Sequence, residues 1–85
     1  MIVVQLPAML RPYAAGADAL TILAPVSTLG ELMIALQRKA PALARQLDDS
    51  VFNFAVNDEM LLHHARERTL RDGDVVEVIP TISGG

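Results

Sequence analysis

The stretch from Leu70 to Gly85, LRDGDVVEVIPTISGG, decides the fold. Its Asp72-Gly73 step is typical of a turn, because glycine reaches positive φ without steric cost. The following run, 75–79, is almost entirely apolar, which predicts a central strand buried in a sheet. Pro80 then ends the strand, and the sequence closes on Gly84-Gly85. Because glycine has no Cβ, this end of the chain is predicted to be a thin, supple tail.

Upstream of this stretch, the first half of the chain predicts a hairpin and a helix. The apolar runs 2–6 and 20–23 read as two strands separated by a loop. Thr28 and Glu31 have the spacing of a capping box, so a helix is expected to begin there. One apolar stripe at helical spacing follows, formed by Leu29, Leu32, Met33 and Leu36. Pro41 stops this helix and is expected to open a short helical turn.

The second half returns to strand patterns. Residues 51–56 alternate between apolar and other side chains, and residues 60–62 predict a short return strand after a turn. The predicted order is therefore ββαββ followed by a final strand. Such an order is typical of an α+β fold in which one helix packs on one face of a mixed sheet. The prediction divides the chain into a domain at 1–80 and a C-terminal tail at 81–85.

Composition limits the classes of function. The 85 residues suit one small domain, and 52% of them are hydrophobic, which predicts an exposed apolar patch and a protein partner. The net charge is −3 with no run of Lys or Arg, which argues against nucleic-acid binding. The apolar runs are far shorter than the roughly 20 residues that span a bilayer, and no basic signal segment precedes them, so we expect a cytoplasmic protein.

Side chains that could form a metal or nucleophilic site are few. Cysteine is absent, so no disulfide, thiolate zinc site or cysteine nucleophile is possible. His63 and His64 are adjacent, and on a short strand they would point to opposite faces without further ligands. We therefore predict no metal site. Arg66, Arg68 and Arg71 form a modest basic cluster that is either a solvated face or a contact for an acidic partner.

Several motifs together resemble one family. They are the turn and strand at Leu70 to Val78, the turn AVNDE at 55–59 and the ending from Pro80 to Gly85. With the element order, they resemble the MoaD/ThiS sulfur carriers, which are ubiquitin-like β-grasp proteins. The segment LPAMLR at 6–11 looks like the MoaD branch. Carriers of the thiamine pathway are a weaker match, because they are usually shorter and lack this N-terminal loop.

The resemblance implies a carrier cycle centred on Gly85, with Gly84 beside it. An E1-like partner would use ATP to convert the Gly85 carboxylate to an acyl-adenylate, and sulfur would then replace AMP to leave a thiocarboxylate. The chain has no phosphate-binding loop of the G-x-x-x-x-G-K type, so the ATP site is expected to belong to the partner. The protein would then bind no cofactor itself and would act as a protein co-substrate, not as an enzyme.

The pathway that receives the sulfur stays open among several. The small subunit of molybdopterin synthase is the leading interpretation, with the large subunit or an analogue as the sulfur-accepting partner. LRP at 10–12 and VNDE at 56–59 also look like carriers for cysteine biosynthesis. Carriers for thiamine or for a sulfur-containing natural product are further possibilities. Outside sulfur delivery, the alternatives are a ubiquitin-like modifier joined to lysines through Gly85 and a plain interaction domain with an inert tail.

Strand alternation predicts the partner surface. If Val78 faces the helix, Ile79 points to the opposite, open face of the sheet, and Ala55 shares that face by the same alternation. In the family that this chain resembles, partners dock on this open face beside the inserted tail. The predicted contacts are therefore Ala55, Ile79 and Val3, together with the start of the tail, Pro80, Thr81, Ile82 and Ser83.

Overall fold

A five-stranded mixed sheet with one main helix on one face forms the fold of the described residues, 1–47 and 51–81 of a computed structural model. The strands are β1 Ile2–Gln5, β2 Ala19–Ile22, β3 Phe52–Val56, β4 Glu59–Leu61 and β5 Val75–Pro80. The helices are α1 Leu29–Lys39 and α2 Pro41–Ala44, with 3-10 helices at Ala8–Ala14 and Ala65–Glu67. The strand order is β2-β1-β5-β3-β4. The prediction that the last strand is central is confirmed, since β5 lies parallel to β1 and antiparallel to β3.

Helix α1 begins where the capping pattern predicts. Thr28 is extended, and its hydroxyl accepts a hydrogen bond from the Glu31 N–H at 3.2 Å. The Glu31 carboxylate accepts in return from the Ser27 N–H at 2.6 Å, one residue earlier than in an ordinary capping box. These two hydrogen bonds satisfy the Glu31 N–H in the first turn and the Ser27 N–H before the cap. Together they fix the direction in which the chain enters α1.

The core lies between α1 and one face of the sheet. All members of the predicted helix stripe are buried, and so are Val76, Val78, Phe54 and Val56, which β5 and β3 direct to the same side. This confirms the predicted facing of both strands. The core also includes Ile2, Val4, Leu6, Leu10, Ile22, Leu43, Leu47, Phe52 and Leu70. A charge at Val78 would enter this core unpaired, which is costly in an apolar interior.

Two local predictions were wrong. The segment predicted as a loop after Pro7 forms the 3-10 helix Ala8–Ala14, because Leu10 is drawn into the core. Strand β4 ends at Leu61, so His63 and His64 do not lie on a strand; both are exposed, and His64 has positive φ. Their side-chain directions therefore do not follow from strand alternation.

The turn before β5 is tied to the turn between β3 and β4. The Asp74 carboxylate accepts from the Arg71 N–H at 2.8 Å and from Asn57 Nδ2 at 2.9 Å. The Asn57 side-chain oxygen in turn accepts from the Val75 N–H at 2.9 Å. Gly73 has φ +91 within this turn, as the sequence predicts. The two turns thus hold β5 at its start, at the end of the sheet away from the tail.

The Asp74 carboxylate should make stability depend on pH. The hydrogen bond from the Arg71 backbone, followed by that from Asn57, lowers the pKa of Asp74 below its ordinary value of 3.8. A carboxyl whose pKa is lower in the folded state stabilises it above the unfolded pKa, and this contribution is lost as the pH falls through the folded pKa. Wild type should therefore exceed Asp74→Asn in urea stability at neutral pH, and the gap should narrow below pH 3.8. A gap that stays constant into acid would contradict this reading.

Candidate functional site: the open sheet face and the start of the tail

Thr81, the first residue of the predicted tail, is tied to the sheet by hydrogen bonds. The Thr81 N–H donates to the Val51 carbonyl oxygen at 2.7 Å, and the Thr81 hydroxyl donates to the same oxygen at 2.9 Å. Thr81 is thus hydrogen-bonded to the residue that precedes β3. The predicted contacts Ile82 and Ser83 and the predicted reactive residues Gly84 and Gly85 lie outside the described residues, and their roles stay predictions.

The register defines which residues share the face opposite α1. Asn53 lies opposite Ile79, and Ala55 lies opposite Glu77. Directly opposite residues in a sheet project to the same side. We call this side the open face, and its members on the five strands are Val3, Gln5, Ala19, Thr21, Asn53, Ala55, Met60, Val75, Glu77 and Ile79. The predicted contacts Val3, Ala55 and Ile79 are therefore brought together on one face.

The three predicted contacts differ in how much of each side chain is exposed. Ile79 and Val3 are half-buried, whereas Ala55 is only 3% exposed although it lies on the open face. Ala55 sits between Met60 on β4 and Glu77 on β5, and both of these longer side chains are exposed. Its methyl group therefore offers little area to a partner, and Met60 and Glu77 present the larger surface.

Sequence reasoning left Met60 and Glu77 out of the site. For Glu77 the signal was present, because alternation along β5 places it on the same face as Ile79. Met60 could have been found from the hairpin turn at Asn57 and Asp58, where both residues have positive φ and fix the register of β4 on β3.

A groove lies beside the end of β5, next to the point where the tail begins. It has a volume of about 490 Å³, and we call it the terminal groove. Its walls are the end of β1 with Leu6 and Pro7, the side chains of Arg11 and Asp18, Ala19 of β2, and residues 77–80 of β5. Two side chains of opposite charge and a run of β5 main chain therefore line the groove beside Pro80.

A second groove lies on the helix side of the molecule. It has a volume of about 610 Å³ and runs between α1 and the segment after β2, with Leu23 and Ile34 exposed along it. Its walls include no residue of β5, so it is separate from the start of the tail. The predicted exposed apolar surface is thus present, but part of it lies away from the open face.

The basic cluster is partly engaged within the domain. Arg68 Nη1 donates to Glu59 Oε1 at 2.7 Å, which links the segment before β5 to β4. The charges of Arg68 and Arg71 also contribute to lowering the pKa of Asp74. This part of the basic cluster therefore has a structural role within the domain.

Within residues 1–47 and 51–81, no group of three or more His, Cys, Asp or Glu side chains is arranged to hold a metal ion. Over the same ranges, no helix has the length and apolar character needed to cross a membrane.

Comparison with known families decides the classification. The sequence model of the ThiS family matches residues 4–85, which is nearly the whole chain and includes both terminal glycines. The chain belongs to the ThiS family. Its fold is accordingly the ubiquitin-like β-grasp, and the predicted resemblance is confirmed.

Solved structures of similar proteins agree with this fold. The CysO protein in the Amycolatopsis orientalis BexX/CysO complex shares 23% identity, with 100% of both chains covered and a TM-score of 0.83. Small archaeal modifier protein 1 of Methanosarcina acetivorans shares 27% identity over 99% of this chain and 95% of that one, with a TM-score of 0.77. A putative molybdopterin converting factor subunit 1 of Pyrococcus furiosus shares 25% identity over 95% and 97%, with a TM-score of 0.76. A search of curated proteins gave no match.

Proposed function

We propose that this protein is a sulfur carrier whose Gly85 carboxylate is adenylated and then converted to a thiocarboxylate. The observation that carries the proposal is the ThiS family match, which runs through Gly85 on a β-grasp domain. Thr81 is hydrogen-bonded to the residue that precedes β3, which fixes the point from which the predicted reactive segment starts.

The chemistry of such a cycle suits the residues present. A carboxylate becomes a useful electrophile only when one of its oxygens is made a good leaving group, and AMP supplies that. Attack by sulfur at the sulfide level on the acyl-adenylate breaks the C–O bond to AMP, releases AMP and leaves the C–S bond of a thiocarboxylate at Gly85. No cysteine in the chain competes for the activated acyl group. The thiocarboxylate keeps the nucleophilic sulfur bound to protein, so free sulfide need not accumulate.

In this proposal the catalytic groups belong to the partners. An E1-like adenylating enzyme binds ATP, and a second enzyme accepts the sulfur. The absence of a G-x-x-x-x-G-K sequence supports placing the nucleotide site outside this chain. The protein then serves as a co-substrate that binds no cofactor of its own. The structure of a CysO in complex with BexX supports the expectation of a protein partner in general terms.

We propose the small subunit of molybdopterin synthase as the specific role. The LPAMLR segment at 6–11 supports it, as does the likeness to the Pyrococcus furiosus converting factor subunit. A carrier for cysteine biosynthesis is the second pathway, favoured by the LRP and VNDE motifs and by the likeness in fold to CysO. The neighbouring genes would separate the two, since each pathway needs its own accepting enzyme.

One comparison favours a second class of function, protein modification. The likeness to small archaeal modifier protein 1, at 27% identity, is as strong as that to the converting factor subunit. Both functions begin with the same acyl-adenylate, so adenylation alone does not distinguish them. The acceptor does, because a sulfur donor gives a thiocarboxylate and a lysine gives an isopeptide bond.

Reconstitution with the adenylating enzyme, ATP and a sulfur donor tests the proposal. We expect the main product to be a thiocarboxylate that an electrophilic reagent traps at Gly85. Tryptic peptide mass spectrometry of a cell extract, after pull-down of the protein, should find few lysines that carry the remnant 72–85, because Arg71 is the last basic residue of the chain. If such remnants on many proteins dominate and the trapped thiocarboxylate is scarce, the modifier function replaces the carrier function.

Ile79→Asp should weaken binding to both the adenylating and the sulfur-accepting enzyme. Ile79 is half-buried on the open face, next to the start of the tail, so a carboxylate there would be desolvated in the complex. A contact near the centre of an interface contributes about 2 kcal/mol or more, which calorimetry would record as a loss of about thirtyfold in affinity.

Two matched variants separate binding from folding and from net charge. Val78→Asp should unfold the domain, because its side chain points into the core one residue away. Ile34→Asp adds the same charge on α1, where Ile34 is exposed on the opposite side of the sheet, and it should leave binding unchanged. Equal affinities for Ile79→Asp and wild type would place the interface elsewhere.

A further inference from the structure

The register directs two carbonyl groups of β5 into the terminal groove. The Thr81 N–H donates to the Val51 carbonyl, and the Asn57 N–H donates to the Val75 carbonyl. Thr81 with Val51 and Asn57 with Val75 are therefore hydrogen-bonded pairs of the ladder between β5 and β3. Hydrogen-bonded and non-bonded pairs alternate along an antiparallel ladder. Val78 and Pro80, opposite Phe54 and Phe52, are therefore non-bonded pairs on the β3 side. Their carbonyl oxygens point the other way, toward β1.

Strand β1 ends too early to pair with these oxygens. The parallel register runs from Val3 opposite Val75 to Gln5 opposite Glu77. The Val3 N–H donates to the Asp74 carbonyl oxygen. In a parallel ladder the next donors on this side of the strand come at every second residue, so an N–H at residue 7 would reach the Val78 carbonyl oxygen. Residue 7 is proline and has no N–H to donate. Among the described residues, no backbone N–H outside the strands donates to the carbonyl oxygen of Val78 or Pro80.

The chain also holds this site open by turning away. The Leu6 N–H donates to the Asp18 carbonyl at 2.9 Å, on the β2 side, and the chain then enters the 3-10 helix Ala8–Ala14. Because the Val78 side chain is buried in the core, its main chain is the part that borders the groove. The groove thus exposes a short edge of β5 at the centre of the sheet, where an edge is unusual.

This short edge presents acceptors only. Pro80 has no N–H, and the register pairs the Val78 N–H with Gln5. The two carbonyl oxygens are two residues apart on one strand, which sets them about 6.6 Å from each other. An extended chain has N–H groups on one side at the same interval of two residues. The two carbonyl oxygens of this edge can therefore accept hydrogen bonds from the N–H groups of an added strand. Arg11 and Asp18, which line the groove, can pair with opposite charges on that strand.

We propose that the terminal groove binds an extended segment of the adenylating enzyme, and that this segment donates two backbone N–H groups to the carbonyl oxygens of Val78 and Pro80. The inference rests on the proposed function, because it assigns the occupant to the partner of the tail. Such strand addition would fix the direction of the chain just before residue 81 and so aim the tail at the partner's active site.

Carbonyl NMR shifts test the strand addition directly, because the dipeptides Val78-Ile79 and Pro80-Thr81 each occur once in the sequence. Labelling with carbonyl-13C valine and 15N isoleucine, or with carbonyl-13C proline and 15N threonine, gives one HNCO signal for each carbonyl. The matched control is Glu77-Val78, also unique, whose carbonyl is directed to β3 inside the sheet. The probe is the adenylating enzyme encoded in the same genome, with ATP.

We expect the Val78 and Pro80 carbonyl signals to move downfield in the complex by more than the Glu77 signal. If pyrophosphate exchange shows adenylation and these signals move no more than that of Glu77, the strand addition is wrong and the carrier function stands. If they move without adenylation, the groove is supported and the carrier function is contradicted. If no complex forms, both proposals fail.

Pro7→Ala provides an independent test. Alanine supplies the missing N–H, so β1 can extend by one bond and occupy the Val78 carbonyl. The KM for the carrier in pyrophosphate exchange should rise about fivefold, as for the loss of one hydrogen bond, while kcat is unchanged. Pro12→Ala, in the 3-10 helix and exposed, is the control and should leave KM as in wild type. An unchanged KM for Pro7→Ala would count against strand addition.

Discussion

Deletion of Gly85 should abolish ATP-dependent adenylation by the E1-like partner and leave the domain folded. The reacting group in the proposed cycle is the carboxylate of Gly85, and a chain ending at Gly84 presents its carboxylate about 3.5 Å short of the required position. In-line reaction with ATP is highly sensitive to a displacement of this size. Pyrophosphate exchange measures the loss, and circular dichroism checks the fold.

The stability of the domain should not change, because the described core residues lie between Ile2 and Val78, well before Gly85. A C-terminal extension provides the matched control, since it leaves every residue in place and blocks only the carboxylate. Activity should be absent with the extension and restored when a protease removes it after Gly85. Full activity of an extended protein that is not trimmed in the assay would rule out the carrier function.

Gly84→Val should block sulfur loading or transfer by orders of magnitude while changing the free energy of unfolding by less than about 0.5 kcal/mol. Glycine has no Cβ, and a branched side chain at this position widens the tail where it would enter the partner. Single-turnover loading assays measure the effect. Gly84→Ala adds only one methyl group and should give an intermediate rate. A loading rate for Gly84→Val equal to that of wild type would show that the partner's channel is not narrow.

Local patterns were sufficient to predict most of the fold. The cap at Thr28, the apolar stripe of α1 and the apolar run of β5 each reflect interactions within one element or with one buried face. These depend on periodicity, which the sequence displays directly. The 3-10 helix after Pro7 was not predictable in this way, because it forms where Leu10 reaches a core made by distant residues.

The candidate site was predictable in outline but not in detail. Alternation placed Ile79 and Ala55 on the open face, yet the burial of Ala55 depends on the lengths of its cross-strand neighbours Met60 and Glu77. The consequence of Pro7 was hidden for a related reason. Its missing N–H matters only because β1 lies parallel to β5 in one particular register. The pairing of two strands that are distant in the sequence cannot be predicted from the residues of either strand alone.

The intact mass of the native protein, purified untagged from its own organism, tests the central claim most directly. Sulfur carriage predicts a fraction of molecules heavier than the unmodified chain by the difference between one sulfur and one oxygen atom, with fragmentation placing the exchange at Gly85. This fraction should disappear when the gene for the adenylating enzyme is deleted. A single unmodified mass in both strains, from cells grown with ample sulfur, would contradict the account.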